Sequence, residues 1–139
     1  MKIKIYYDNI SFRLRKSGLV KKFFEKVIKD EKKIPGDLNF VFTGNNRIIE
    51  INKTYLRHDY FTDVIAFDYG EGEVVNGEIY ISIDTVRSNA KKYGTLLIEE
   101  VLRVMIHGVL HLCGYDDRQE KLKEMMFRRQ EEKVKEFFS

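Results

Sequence analysis

The spacing of hydrophobic and polar residues along this chain predicts both strands and amphipathic helices. Apolar residues at every second position indicate a half-buried strand, and apolar residues three and four apart indicate one face of a helix. The predicted strands cover residues 2–7, 38–42, 64–69 and 78–83. The predicted helices cover residues 17–33, 45–55, 84–93, 95–113 and 118–138. The fold class is therefore α+β, with a small mixed sheet.

The chain length favours a single domain over residues 1–139. A chain of 139 residues that is 43% hydrophobic can bury one sizeable core but not two. Pro35 and Gly36 predict a turn between the first helix and the second strand. Residues 71–76 are predicted to form an exposed acidic connection. The sequence has no internal repeat and no Gly/Ser-rich linker.

One line of ionisable residues runs through the otherwise apolar segment 95–113. Steps of four residues connect Glu99, Arg103, His107 and His111. Residues four apart on a helix lie on the same face, about 6 Å apart along the axis. The two histidines can therefore reach one metal ion from a helix whose other faces are buried.

A third metal ligand is predicted just after this helix. Gly114 tolerates a positive φ, so the chain can turn back towards the two histidines. We predict Asp117 as the third ligand, beside His107 and His111, which leaves a position for water as in catalytic zinc sites. Asp116 is the alternative ligand, although we expect it to orient a histidine or to close the turn.

Two other interpretations bear on this site. Asp117 and Glu120 also fit a capping box at the start of the last helix, which would give Asp117 a structural role. Cys113 lies two positions after His111 and projects from the other side of the helix. We therefore interpret Cys113 as a buried small apolar residue rather than a ligand.

The segment from His107 to Asp117 resembles the HGxLHLxGYDH signature of the YbeY family of metal-dependent endoribonucleases. It departs from that signature at Asp117, where the family has a third histidine. Three upstream segments resemble other family motifs. They are Asn52 to Tyr55 (NxxY, followed by Asp59), residues 62–67 (TDVIAF, against TDVLSF) and Gly77 to Ile79 (GEI, against GDI).

The resemblance implies a fold, a cofactor and a function. It implies a four-stranded mixed sheet surrounded by about five helices, with a metal cleft between the buried helix and the sheet. It implies a zinc-dependent endoribonuclease, specific for single-stranded RNA, that acts in ribosomal RNA maturation and ribosome quality control. The ribosome or a ribosomal protein is then an expected partner. Because Asp117 is a carboxylate, manganese or iron is also possible, and the ion should be a weaker Lewis acid.

The resemblance also suggests catalytic residues. We expect an ion on the three ligands to bind water and to polarise a phosphoryl oxygen of RNA. Asp63 and Thr62 are predicted to form hydrogen bonds in the cleft, and Arg57 to neutralise a phosphate. Arg57 is displaced by one position, because the family's arginine directly follows the tyrosine and Leu56 stands there in this chain.

Two other function classes compete with the nuclease. A zinc peptidase of the HExxH type needs a glutamate where this chain has Gly108, so the peptidase is disfavoured. A non-catalytic RNA-binding factor for ribosome assembly, with a structural metal or none, would be consistent with the substituted third ligand.

Composition and charge add a location and a candidate RNA surface. A single cysteine excludes an internal disulfide, and no stretch matches a signal or membrane segment, so we expect a cytoplasmic protein. The net charge is +3, but residues 1–36 contain 11 basic and 4 acidic residues. This basic surface could follow an RNA backbone, or it could simply be solvated.

Overall fold

The structure is a computed structural model that describes residues 2–56 and 62–139, with Leu56 described by its backbone alone. Within these residues the strands are β1 (Lys2–Tyr7), β2 (Ile34–Thr43), β3 (Val64–Asp68) and β4 (Val74–Ser82). The helices are α1 (Ser17–Asp30), α2 (Asn45–Ile51), α3 (Ile83–Tyr93), α4 (Leu97–Leu112) and α5 (Glu120–Phe138). A π-helical turn, Asn52–Leu56, continues α2.

The described strands form one mixed sheet in the order β1-β2-β4-β3. The neighbours β1/β2 and β2/β4 are parallel, whereas β3 pairs antiparallel with β4 at the edge. Parallel neighbouring strands need long crossover connections. Helix α1 lies in the connection from β1 to β2, and α2 lies in the connection from β2 towards β3 and β4. The predicted α+β class, the mixed sheet of four strands and the five surrounding helices are therefore confirmed.

The main core lies on one face of the sheet. Residues of α1, α3, α4 and α5 pack there against the inward-facing side chains of β1, β2 and β4. The largest fully buried side chains of this core include Phe24 of α1, Phe40 of β2 and Met105 of α4. A second, smaller cluster on the opposite face joins Ile48 and Ile51 to Ile65. Helix α4 thus lies between the sheet and the outer helices, which explains its apolar sequence.

Two glycines allow α4 to approach the sheet closely. A Cβ atom on Gly108 would lie 2.8 Å from Cγ2 of Ile79 in β4. A Cβ atom on Gly77 would lie 2.5 Å from the carbonyl oxygen of Phe67 and 2.9 Å from Cδ1 of Leu112. All three distances are too short for real contacts. The two glycines therefore set the distance between α4 and the strands that face it.

Helix α5 is joined to α1 by buried and partly buried ion pairs. The side chain of Lys133 is 5% exposed, and its Nζ lies 2.6 Å from Oδ2 of Asp30. Arg129 donates from Nε to Oε2 of Glu31 at 2.7 Å, and Tyr115 donates its hydroxyl to the other oxygen of the same carboxylate at 2.7 Å. These contacts fix α5, and the turn after α4, relative to the core.

The predicted turn at Pro35 and Gly36 is wrong, because both residues lie in β2. The register of β2 against β4 shifts between Pro35 and Leu38, where the strand bulges. A bulge tolerates proline inside a strand because the ladder is interrupted there. Asn76 then accepts a hydrogen bond from the backbone N–H of Asp37 at 2.6 Å. Residues 74–76 likewise belong to β4, so the acidic connection is shorter than predicted.

The two helical glycines of the chain provide a test of this packing. We predict that Gly108→Ala lowers the free energy of unfolding by about 1–3 kcal/mol, because a methyl group must displace Ile79. Gly18→Ala in α1 is the matched control, since a Cβ there meets no atom within 4 Å. It should raise stability by up to about 1 kcal/mol through helix propensity alone. Urea denaturation followed by circular dichroism measures both; equal effects would contradict the close-packing argument.

Candidate metal centre

The two histidines of α4 point their Nε2 atoms at the same place. His107 and His111 lie one turn apart, and their Nε2 atoms are 3.2 Å apart. The two rings are nearly perpendicular, with an interplanar angle of 83°. A tetrahedral zinc ion with Zn–N bonds of about 2.0–2.1 Å would separate two nitrogens by about 3.3 Å. The imidazole pair therefore already has the spacing of two ligands on one ion.

Asp117 completes a group of three side chains that could hold a metal ion. Gly114 has a φ of 106°, as predicted for the turn after α4. The chain then brings Oδ2 of Asp117 to 3.5 Å from Nε2 of His111. One ligand atom from each of His107, His111 and Asp117 lies within 4.8 Å of the others, and this is the one such group among the described residues. The donor set, two imidazoles and a carboxylate, fits a divalent ion with an open position.

The alternative roles considered for the two aspartates can now be separated. Gln119, not Asp117, occupies the N-cap position of α5, so the predicted capping box is wrong. Asp116 accepts hydrogen bonds from the backbone N–H of Arg118 at 2.9 Å and from its guanidinium at 2.8 Å. The guanidinium holds the pKa of Asp116 at about 2. Asp116 thus closes the turn, and Asp117 faces the histidines.

Almost the whole chain is similar in sequence to one known protein family. The sequence model of the family described as Endoribonuclease YbeY matches residues 4–138. The chain belongs to the YbeY family. The resemblance found in its motifs is therefore confirmed over almost the whole sequence.

Relatives in this family cover most of the chain. Endoribonuclease YbeY of Flavobacterium psychrophilum is 44% identical over 128 residues, which are 92% of this chain and 91% of that protein. Endoribonuclease YbeY of Parabacteroides distasonis is 40% identical over 126 residues, 91% of this chain and 89% of that protein. The solution structure of a protein from Thermotoga maritima superposes with a TM-score of 0.69 and 32% identity, covering 99% of this chain and 89% of that one.

In this YbeY family member the three candidate ligands line a cleft between α4 and β3. The cleft has a volume of about 660 Å³. Besides the three ligands, its lining consists of Asn52, Thr62, Asp63, Val64, Ile65, Ala66, Asp68, Gly108 and Leu112. A cleft is therefore present at the expected place, between the buried helix and the edge strand of the sheet.

Asp63 lies in this cleft with a perturbed carboxyl group. Burial raises the pKa of Asp63 above its ordinary value, while attraction to His107 opposes the shift. The backbone carbonyl of Asp63 accepts a hydrogen bond from Ser82 at 2.9 Å, which fixes the residue at the start of β3. Thr62 also lines the cleft. Arg57 and Asp59 lie outside the described residues, so the catalytic role of Arg57 stays a prediction.

The charge state of the His111 imidazole suits metal binding. Burial lowers the pKa of His111, and the neighbouring His107 lowers it further, whereas Asp117 and a backbone hydrogen bond at Tyr115 oppose the shift. The neutral ring, with a free lone pair, is the form that binds a metal. Burial raises the pKa of the Cys113 thiol to about 12, so this buried sulfur stays protonated, in agreement with its predicted apolar role.

The structure adds polar residues that the sequence pattern did not reveal. Nδ1 of His107 lies 2.7 Å from Oε1 of Gln130 in α5. Glu100, which is 5% exposed, pairs with Arg103 although it lies beside the four-residue stripe. The guanidinium of Arg103 also pairs with Glu131 of α5 at 2.8 Å. The contacts between α4 and α5 join His107 to Gln130 and Arg103 to Glu131, which are 23 and 28 positions apart. The spacing of residues within one helix cannot predict such contacts.

The basic N-terminal surface is partly used in contacts within the chain. Arg13 donates to the carbonyl groups of Ile10 and Phe12, and its guanidinium lies 4.6 Å from the ring centre of Tyr7. Lys26 pairs with Asp30 at 2.9 Å. These two side chains therefore contribute less free charge than the composition suggests. Each described helix is too short or too polar to span a membrane.

Proposed function

We propose that this chain is a metal-dependent endoribonuclease that cleaves single-stranded RNA at the cleft between α4 and β3. Membership of the YbeY family supports RNA cleavage as the activity. The observation that carries the metal dependence is the convergence of one ligand atom each from His107, His111 and Asp117 within 4.8 Å. Zinc is the proposed ion, with manganese or iron as alternatives favoured by the carboxylate ligand.

Each residue of the cleft would have a distinct role in the reaction. His107, His111 and Asp117 would hold the ion, which supplies Lewis acidity at a phosphoryl oxygen and makes water more acidic. Asp63, whose carboxyl group is shielded from water, would hold or accept a proton in the cleft. Thr62 would form a hydrogen bond to the RNA. Arg57 would neutralise a phosphate group.

The biological setting belongs to the same proposal. Family membership supports ribosomal RNA maturation and ribosome quality control as the role, with ribosomal RNA as substrate and the ribosome or a ribosomal protein as partner. The proposed compartment is the cytoplasm. The basic residues of positions 1–36 would attract RNA, and this attraction should weaken as the salt concentration rises.

The other two function classes have less support. A peptidase of the HExxH type requires a glutamate at the position of Gly108, where Ile79 leaves no room even for a Cβ atom. A non-catalytic assembly factor would bind RNA without cutting it. The following experiments separate this class from the nuclease.

RNA cleavage should depend on the histidine pair. We predict that the wild-type protein, loaded with zinc or manganese, cleaves an unstructured RNA oligonucleotide, and that His111→Ala abolishes cleavage because one ligand is lost. Asp116→Asn, which changes only the turn, is the matched control and should keep most of the activity. Cleavage by wild type that His111→Ala leaves unchanged would come from a contaminating nuclease and would contradict the proposal.

Asp63 should act on the reaction rather than on metal binding. We predict that Asp63→Asn lowers kcat by about 100-fold or more, the usual contribution of a positioned acid or base. Metal content per chain should stay at the wild-type value. Single-turnover cleavage and mass spectrometric metal analysis on the same sample measure the two quantities. Loss of the metal together with the activity would assign Asp63 to metal binding instead.

A further inference from the structure

Gln130 of α5 contacts Nδ1 of His107, the ring nitrogen that does not face the proposed metal position. Its Oε1 lies 2.7 Å from Nδ1 of His107, and the residue is 7% exposed. We propose that Gln130 is a positioning residue of the metal centre, which keeps the proton of His107 on Nδ1 and directs the Nε2 lone pair at the ion. This inference rests on the metal centre proposed above.

The orientation of the Gln130 amide follows from its second partner. Its Nε2 donates to Oε2 of Glu131 at 3.1 Å. A carboxylate only accepts hydrogen bonds, so the amide nitrogen must face Glu131 and the amide oxygen must face His107. An amide oxygen also only accepts. Nδ1 of His107 must therefore carry the hydrogen, and Nε2 is left with a free lone pair.

Glu131 is in turn held by an arginine of the ligand helix. Arg103 donates from Nε to Oε2 of Glu131 at 2.8 Å and from Nη2 to Oε1 at 3.0 Å, a two-pronged pair of fixed direction. Burial favours the protonated acid, but hydrogen bonds from Arg103 and Gln130 outweigh it and keep the pKa of Glu131 below its ordinary value. Arginine is always charged and can only donate, so Glu131 must accept from Arg103. Gln130 must then donate to Glu131 and accept from His107.

The arrangement explains the polar stripe seen in the sequence. Arg103 lies one turn before His107 on α4, and the two are connected through α5 rather than directly. Hydrogen bonds to the far nitrogen of a ligand histidine fix its ring and raise its basicity, and their loss typically costs 10–100-fold in metal affinity. A glutamine does this without adding charge, so Asp117 remains the anionic member of the ligand set.

The tautomer of His107 can be measured without metal or RNA. Long-range 1H–15N correlation spectra of the metal-free full chain distinguish a protonated from a bare ring nitrogen, and single replacements assign the three histidines. We expect Nδ1–H and bare Nε2 at His107 in wild type. Gln130→Met removes the acceptor and should populate the Nε2–H form. Gln130→Glu keeps an acceptor and should keep the wild-type form.

A substitution at Glu131, which makes no direct contact with His107 in this chain of hydrogen bonds, tests whether Glu131 orients the Gln130 amide. Glu131→Gln offers the Gln130 amide both a donor and an acceptor, so the amide can turn over. We expect the Nε2–H form of His107 to appear in this variant too. Because it keeps the size and polarity of the side chain, it also serves if Gln130→Met fails to fold.

Metal affinity gives an independent second measurement. Competition with a chromophoric chelator should show zinc binding about 10–100-fold weaker in Gln130→Met and near wild type in Gln130→Glu. Lys123→Met is the control, because it places the same side chain at an exposed position of the same helix.

Two results would overturn the role of Gln130. One is a His107 that carries its proton on Nε2 in wild type. The other is a Gln130→Met protein with unchanged tautomer and unchanged zinc affinity. Wild-type protein that has the expected tautomer but does not cleave RNA would overturn the nuclease proposal and leave the assignment of Gln130 standing.

Discussion

Two imidazole nitrogens 3.2 Å apart are the contact on which the rest of the site depends. If both Nε2 atoms carry lone pairs they repel each other, and they are stable at this distance only when a cation or a proton lies between them. The fold supplies the constraint that keeps them together. Both rings come from adjacent turns of α4, and α4 is held against the sheet where Gly108 contacts Ile79.

The substitution of the family's third histidine changes the electrostatics of this pair. The Asp117 carboxylate would attract a cation to the position beside the two rings, and its Oδ2 lies 3.5 Å from Nε2 of His111. The same charge makes a bound ion a weaker Lewis acid. Gln130 adds no further charge beside His107. Two imidazoles and a carboxylate would therefore attract a divalent ion more strongly than three imidazoles, but the bound ion would activate water less. The activity should then depend more strongly on which metal is bound.

The sequence predicted the parts of the structure that local spacing determines. The bounds of β1 were right, and the buried helix with His107 and His111 was identified from its polar stripe. Features that arise from tertiary contacts were missed. The bulge at Pro35 depends on pairing with β4, and Gln130 and Glu131 reach the site only because α5 packs across α4. Asp117 was predicted as the third ligand with Asp116 as the alternative, because the separation of the two roles depends on the contact between Asp116 and Arg118.

His107, His111 and Asp117 are proposed to hold one divalent ion. The most direct measurement is the metal content per chain, by inductively coupled plasma mass spectrometry, of wild type, Asp117→Asn and Asp116→Asn after equilibration with zinc and gel filtration. We expect about one equivalent in wild type and in Asp116→Asn, and a large loss in Asp117→Asn. Negligible metal in wild type, or equal retention in both variants, would contradict it.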